Sequence, residues 1–139
     1  MLYYLSLGSN LGDRESTLRS ALQLIEQQIG SVLRCSSFYY SKPWGFTSQN
    51  DFCNLCCALE TDLPPLKVLH LTQTIERSLG RKYKSQDGHY CDRPIDIDLI
   101  RVFDDDKKEL FMDSPELTLP HRFWQERDFV KVPLAEIMH

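Results

Sequence analysis

Two aspartates stand two residues apart in Arg93-Pro94-Ile95-Asp96-Ile97-Asp98-Leu99-Ile100. Apolar residues alternate with them. That period of two predicts a strand with Asp96 and Asp98 on one face and Ile95, Ile97 and Leu99 on the other. Strand rise separates the two carboxylates by about 7 Å. Two readings of the pair are open. One is a solvated acidic face. The other is an oxygen site for a hard cation, which would turn like-charge repulsion into binding. On the second reading the repulsion is a standing cost in the metal-free protein, so replacing either aspartate by asparagine should cost no stability.

Cations surround this strand. Arg81, Lys82, Lys84, His89 and Arg93 precede it, and His121, Arg122 and Arg127 follow. Singly, each reads as surface charge. Together with two carboxylates they suit a phosphate ester bridged by Mg²⁺, because ester oxygens and carboxylates share the ion while the cations meet the remaining phosphate charge. Gln73 and Glu76 lie one turn apart on a predicted helix and could bond a base or a ribose; solvated helix surface is the plain alternative. Asn54 shares a strand face with Phe52, Cys56 and Ala58. An asparagine offers a donor and an acceptor together to a heterocycle's amide edge, and Phe52 offers a stacking surface. Spacing alone favours an asparagine bonded to neighbouring backbone. Gly8-Ser9-Asn10-Leu11-Gly12 lacks the lysine and hydroxyl of a phosphate loop and reads equally as a strand-to-helix turn.

The elements that must position these residues can be read in order. Leu2 to Leu7 predicts a strand. Asp13 caps a helix with apolar positions Leu18, Leu22, Ile25 and Ile29, stopped by Gly30. Residues 31–41 and 52–60 are β-rich, with a loop opening at Pro43-Trp44-Gly45-Phe46. Pro64-Pro65 starts a second helix with a stripe of Val68, Leu71, Ile75 and Leu79, ended by Gly80. A polar, basic loop from Arg81 to Asp92 leads into the aspartate strand, and residues 104–108 form a charged turn. A tail follows: Pro120-His121-Arg122, a short helical stretch, then Phe129 to Ile137. The order β-α-β-β-α-β predicts an α+β, ferredoxin-like fold, one antiparallel sheet with both helices on one face, as a single domain over residues 1–139.

Composition sets the class. With 139 residues, 42% hydrophobic and 26% charged, the chain reads as one globular domain. A net charge of -4 gives no pull toward nucleic acid or an anionic membrane. No apolar run approaches membrane-spanning length, and Met1-Leu2-Tyr3-Tyr4-Leu5 has no basic leader, so the expectation is a cytoplasmic protein. Five cysteines, Cys35, Cys53, Cys56, Cys57 and Cys91, make an odd set that reads as reduced thiols. The Cys53-Asn54-Leu55-Cys56 spacing lies in a strand pattern without a second ligand pair and reads as buried thiols.

The chain resembles the 6-hydroxymethyl-7,8-dihydropterin pyrophosphokinases. The resemblance is carried by "GSNLGD" at 8–13, by Asn54 within "DFCNLCCALET", by "QTIERSLGR", by "DRPIDIDLI" and by "LTLPHRFWQERDFVKVPLAEI", in order over nearly the whole chain. The family's fold is ferredoxin-like. Its enzymes move a diphosphate from ATP to the hydroxymethyl group of the dihydropterin, releasing AMP, in folate biosynthesis. The resemblance implies that Asp96 and Asp98 hold two Mg²⁺ ions and that Asn54 reads the pterin edge. It implies that Phe52 and Phe129 sandwich the pterin, with Ser41 and Trp44 lining its pocket. Gln73, Glu76, Arg81, Arg93, His121 and Arg127 match positions facing ATP or its phosphates, and Lys84 stands beside Tyr83, where many members carry a second arginine. Tyr90-Cys91-Asp92 and Arg122 also depart from the common pattern, and the sequence stops soon after Ile137, where longer members continue.

The expectation is a monomeric, Mg²⁺-dependent diphosphokinase. Its partners are the small molecules ATP and hydroxymethyldihydropterin, with no nucleic acid and no membrane. Arg81, Arg93, Asp96 and Asp98 would act by positioning and charge neutralisation. Two rivals remain: a non-catalytic ligand-binding module, which needs neither acid pair nor cation cluster, and another metal-dependent phosphotransferase or nuclease, for which the acidic net charge is a poor match.

Overall fold

The computed structural model describes residues 1–81 and 92–138. The main sheet contains β1 (Leu2–Ser9), β2 (Ser31–Cys35), β3 (Tyr39–Ser41), β4 (Phe52–Glu60) and β5 (Asp96–Phe103), with α1 (Arg14–Gln28) after β1 and α2 (Pro65–Ser78) after β4. Strand order is β2-β4-β1-β5, β3 also pairs with β4, and every pairing is antiparallel. β4 thus inserts between β1 and β2, and β1 between β4 and β5, which is the expected ferredoxin-like arrangement.

Local chemistry explains the helix ends. The Asp13 carboxylate accepts the Ser16 N–H at 3.2 Å and caps α1. The chain then turns sharply at Gly30, where any Cβ would run into the Glu60 carbonyl oxygen. Pro65 occupies the first turn of α2, where a missing N–H costs nothing, and Gly80 beyond its end has φ +104°, a conformation natural only to glycine. Both helices lie on one face. Leu18, Ala21 and Ile25 of α1 and Val68, Leu69 and Ile75 of α2 pack on Tyr3, Leu5, Leu7, Leu55, Leu59, Ile97 and Leu99.

Two features differ from the sequence reading. The β-rich stretch 31–41 is broken into β2 and β3. At the break the Ser36 hydroxyl takes the Cys56 N–H at 2.9 Å, a place a backbone carbonyl would fill in an unbroken ladder. The pattern also gives residues 129–137 no element, whereas they form α3 (Asp128–Ile137). Val130, Leu134 and Ile137 of α3 pack on Tyr4, Cys56, Ala58 and Ile100, covering the sheet face opposite α1 and α2. Ile100 reaches this second core because β5 carries an extra residue: Leu5 is opposite Leu99 and Tyr4 opposite Arg101. A short hairpin, β6 (Met112–Asp113) with β7 (Thr118–Leu119), is fastened to α2 by His70 Nε2 and Glu116 Oε2 at 3.0 Å. Cys35, Cys53, Cys56 and Cys57 are free thiols, while Cys91 lies outside the described residues. No described helix is long and apolar enough to cross a membrane.

Candidate active site

Alternation along β1 commits Leu5 and Leu7 to the helix-side core and turns Ser6 and Gly8 to the other face. Gly8 is in register with Asn54 of β4 and Asp96 of β5, and Ser6 with Cys56 and Asp98. Asn54, Gly8 and Asp96 therefore form a row across three strands, and two inter-strand spacings put its ends about 10 Å apart. Glycine keeps the middle of the row open. A Cβ at Gly8 would stand 2.9 Å from Asn54 Oδ1 and 3.4 Å from Phe52 Cδ1.

Two cavities meet at the aspartates. A narrow slot of about 20 Å³ is lined by Ser6, Gly8, Ser41, Lys42, Phe52 and Asn54. A larger cleft of about 530 Å³ is lined by Gln73, Arg81, His121, Arg122 and Arg127, with Leu117 and Thr118 of the hairpin. Trp44, Arg93, Asp96, Asp98 and Phe129 border both.

In the slot, Asn54 Nδ2 donates to the Tyr39 carbonyl and to Ser41 Oγ, both at 2.9 Å. The local bonding that spacing favoured is thus present, and it leaves the Asn54 carbonyl oxygen as the group offered to the slot. The Arg93 guanidinium lies 4.9 Å from the Phe52 ring centroid and 5.8 Å from that of Phe46, and its Nε is 3.8 Å from Asp96 Oδ2. Arg127 is buried with its guanidinium 4.2 Å from the Trp44 ring, 5.4 Å from Phe123 and 5.7 Å from Phe129. Such stacking desolvates the charge and directs it into the cleft. At the rim, His121 Nδ1 accepts the Phe123 N–H at 3.2 Å, which puts the proton of the neutral ring on Nε2.

The loop at 8–12 proves to be a brace. Asn10 Oδ1 accepts the Arg93 N–H at 2.8 Å, and its Nδ2 donates to Asp92 Oδ1 at 2.7 Å and to the Asn50 carbonyl at 3.2 Å. Hydrogen bonds from Ser48, Asn10 and Asn50, with the nearby Arg93 charge, outweigh desolvation and hold the Asp92 carboxyl below its ordinary pKa.

Asp96 is tied to a buried guanidinium. Arg81 Nη1 donates to Asp96 Oδ1 at 2.6 Å, to the Ile95 carbonyl at 3.1 Å and to Glu76 Oε2 at 3.4 Å. Burial alone would lower the Arg81 pKa, but the Asp96 and Glu76 charges, the Asp96 hydrogen bond and the Asp98 charge hold it above the ordinary value. The expectation that either aspartate can be neutralised without loss of stability is therefore corrected for Asp96, which already compensates a buried guanidinium. The expectation that Glu76 faces ATP is corrected as well. Glu76 is buried and absent from the lining of the cleft, and its Oε2 accepts the Ile97 N–H at 2.7 Å. A step of three residues rotates it some 60° from Gln73 on the helix, enough to send Gln73 into the cleft and Glu76 against β5.

The acid pair fits a divalent cation of the Mg²⁺ type. Both side chains bring hard oxygen donors to the wall between the cavities, and no set of three or more His, Cys, Asp or Glu forms a closed cage among the described residues. An ion held this way would complete its shell with water and phosphate oxygens, the habit of Mg²⁺.

The model of one family, 7,8-dihydro-6-hydroxymethylpterin-pyrophosphokinase, matches residues 4–139. The chain belongs to this family. It is 48% identical over 136 residues to the 2-amino-4-hydroxy-6-hydroxymethyldihydropteridine pyrophosphokinase of Porphyromonas gingivalis, covering 98% of this chain and 90% of that one. To the enzyme of the same name from Bacillus subtilis it is 38% identical over 135 residues, covering 96% and 76%. The fold matches a crystal structure described as HPPK-DHPS in complex with substrates, with a TM-score of 0.73 at 14% identity. That match covers 98% of this chain but only 40% of that longer one.

Within this pyrophosphokinase fold, the cleft and slot gather Ser41, Trp44, Phe52, Asn54, Gln73, Arg81, Arg93, Asp96, Asp98, His121, Arg127 and Phe129 from the expected set. Glu76 stands behind them, and Lys84 lies outside the described residues. Sequence reasoning missed Gly8 and Ser6, whose signal was the alternation of β1, and Leu117, Thr118 and Phe123, for which no periodic signal existed.

Proposed function

We propose that this chain transfers diphosphate from ATP to the hydroxymethyl group of 6-hydroxymethyl-7,8-dihydropterin, releasing AMP, as a step of folate biosynthesis. The observation that carries the reading is that Asp96 and Asp98 border both cavities, so one acid pair can serve a nucleotide in the cleft and a heterocycle in the slot. The row from Asn54 to Asp96 supports the same assignment. A bicyclic ring needs more room than the 20 Å³ slot offers, so it would enter only as Arg93 leaves the Phe52 face; lying over Gly8 with its amide edge at Asn54, it would bring its far end to the carboxylates.

Phe52 and Phe129 hold the ring between them, and Ser41 and Trp44 complete the slot. Gln73, His121 and Arg127 take the nucleotide from the cleft side, His121 as a donor through Nε2. Asp96 and Asp98 would hold Mg²⁺, which when bound would supply charge neutralisation for the polyphosphate and lower the pKa of the attacking hydroxyl. Arg93 stands where both cavities meet, so its charge faces the phosphorus that changes partners, and Arg81 holds Asp96 in place. Incubation with ATP, Mg²⁺ and hydroxymethyldihydropterin tests the reading: AMP is expected in step with pterin consumption, and ADP as the main nucleotide product would overturn it.

A further inference from the structure

β5 is an edge strand, so every second N–H along it points away from β1 and needs another acceptor. At the edge facing α2 the Ile97 N–H lies between the two aspartates, and Glu76 Oε2 accepts it at 2.7 Å. The same oxygen stands 3.4 Å from Arg81 Nη1, which is 2.6 Å from Asp96 Oδ1. Side-chain exposure is 3% for Glu76, 4% for Arg81 and 19% for Asp96. Among the carboxylates that meet this buried guanidinium, Asp96 is nearer than Glu76, and Asp96 belongs to the acid pair.

We propose that Glu76 is a positioning residue for the acid pair. It pins the backbone between Asp96 and Asp98, and it carries the Arg81 charge when a cation claims Asp96. A cation drawing on Asp96 Oδ1 must loosen the Arg81 contact. A guanidinium released into a buried site without a second carboxylate would be costly. Glu76 supplies that carboxylate within reach, so the exchange proceeds with little desolvation. The opposite edge of the sheet offers a contrast. There Glu26 Oε2 of α1 accepts the Val32 N–H of β2 at 2.5 Å, an exposed cap whose residues line neither cavity. Two helices each cap an edge strand with a glutamate, and one of the caps is coupled to the acid pair.

The inference rests on the reading that Asp96 and Asp98 hold a divalent cation, and the experiment separates the two. Thermal stabilisation by a non-hydrolysable ATP analogue is titrated with Mg²⁺, and Mn²⁺ binding in the presence of the analogue is followed by electron paramagnetic resonance. Absence of any metal-dependent response in the unaltered protein would remove the acid-pair reading itself. Glu76→Gln keeps an acceptor for the Ile97 N–H but throws the Arg81 charge onto Asp96. It is expected to raise the half-saturating metal concentration about tenfold, the scale of one charge-assisted hydrogen bond. Glu26→Gln is expected to shift the melting temperature only. Glu76→Gln combined with Arg81→Gln removes both buried charges, a change that folded proteins tolerate better than the loss of one. With the competitor for Asp96 gone, its metal midpoint, read with Mn²⁺ alone, is expected below that of Glu76→Gln. The proposal is overturned if Glu76→Gln lowers stability and leaves the metal midpoint unchanged, or if the double variant binds metal no better than Glu76→Gln.

Discussion

Asp96→Asn takes one carboxylate from the buried network around Arg81, which is 4% exposed and also meets the Ile95 carbonyl at 3.1 Å and Glu76 at 3.4 Å. Breaking a fully buried pair costs about 3–5 kcal/mol. Here Glu76 persists and the asparagine oxygen can still accept, so the loss should fall nearer that of one charge-assisted hydrogen bond, about 2 kcal/mol. For 139 residues the unfolding entropy is about 0.3 kcal/mol per kelvin, which converts this into a fall of about 7 °C in Tm. Asp98→Asn leaves the contacts among Arg81, Asp96 and Glu76 in place. Both variants should lose most of the extra melting stability that Mg²⁺ with an ATP analogue confers, because stabilisation by a ligand follows its affinity. Scanning calorimetry without metal, then with metal and analogue, separates the two effects. Equal metal-free melting temperatures for Asp96→Asn and the unaltered protein would refute the claim that Asp96 compensates Arg81.

Further outcomes follow from other contacts. Gly8→Ala would press a methyl group against Asn54 Oδ1, whose amide is tied to Tyr39 and Ser41, so affinity for the pterin should fall about tenfold while affinity for an ATP analogue stays within a factor of two, measured by calorimetric titration. Arg93→Ala should lower kcat by about a hundredfold and weaken ATP-analogue binding far less; equal losses would deny Arg93 a role in the transition state. Two hydrogen bonds from Arg101, at 2.7 and 2.9 Å, outweigh desolvation and hold the Glu109 carboxyl below its ordinary pKa. The unfolded chain then binds more protons in acid, so this contribution is complete above the ordinary glutamate pKa of about 4.3 and is lost as pH falls through the lower folded value. Glu109→Gln should therefore flatten the decline of Tm between about pH 5 and pH 3, and an unchanged decline would show that the pair contributes nothing.

Much of the fold was legible because its signals are local. Asp13 announces α1, Pro64-Pro65 announces α2, and the alternation in "RPIDIDLI" predicts both the strand and its two faces. α3 was hidden by Pro133, which removes a helical N–H yet is tolerated because Val130, Leu134 and Ile137 bury themselves on the sheet. The members of the site were legible as residue types, but their couplings were not. Asp96 meets Arg81 across fifteen positions of sequence, and Glu76 meets Ile97 across twenty-one, pairings that only the return of α2 onto the β5 edge creates. The brace at Asn10 escaped notice for the same reason, since its partners Asp92 and Arg93 are more than eighty residues away. Asn54 shows a further limit: spacing favoured bonding to neighbouring backbone, yet its partners Tyr39 and Ser41 come from β3, fifteen and thirteen positions away, and nothing in the spacing tells which end of the amide faces the slot.

The central claim is that a diphosphate group, not a single phosphoryl group, crosses from the cleft to the slot past Asp96 and Asp98. ATP labelled in its β-phosphorus tests this most directly. After reaction with hydroxymethyldihydropterin and Mg²⁺, the label should leave the nucleotide fraction completely and appear in the pterin product, with unlabelled AMP remaining. Retention of the label in the nucleotide would contradict the account.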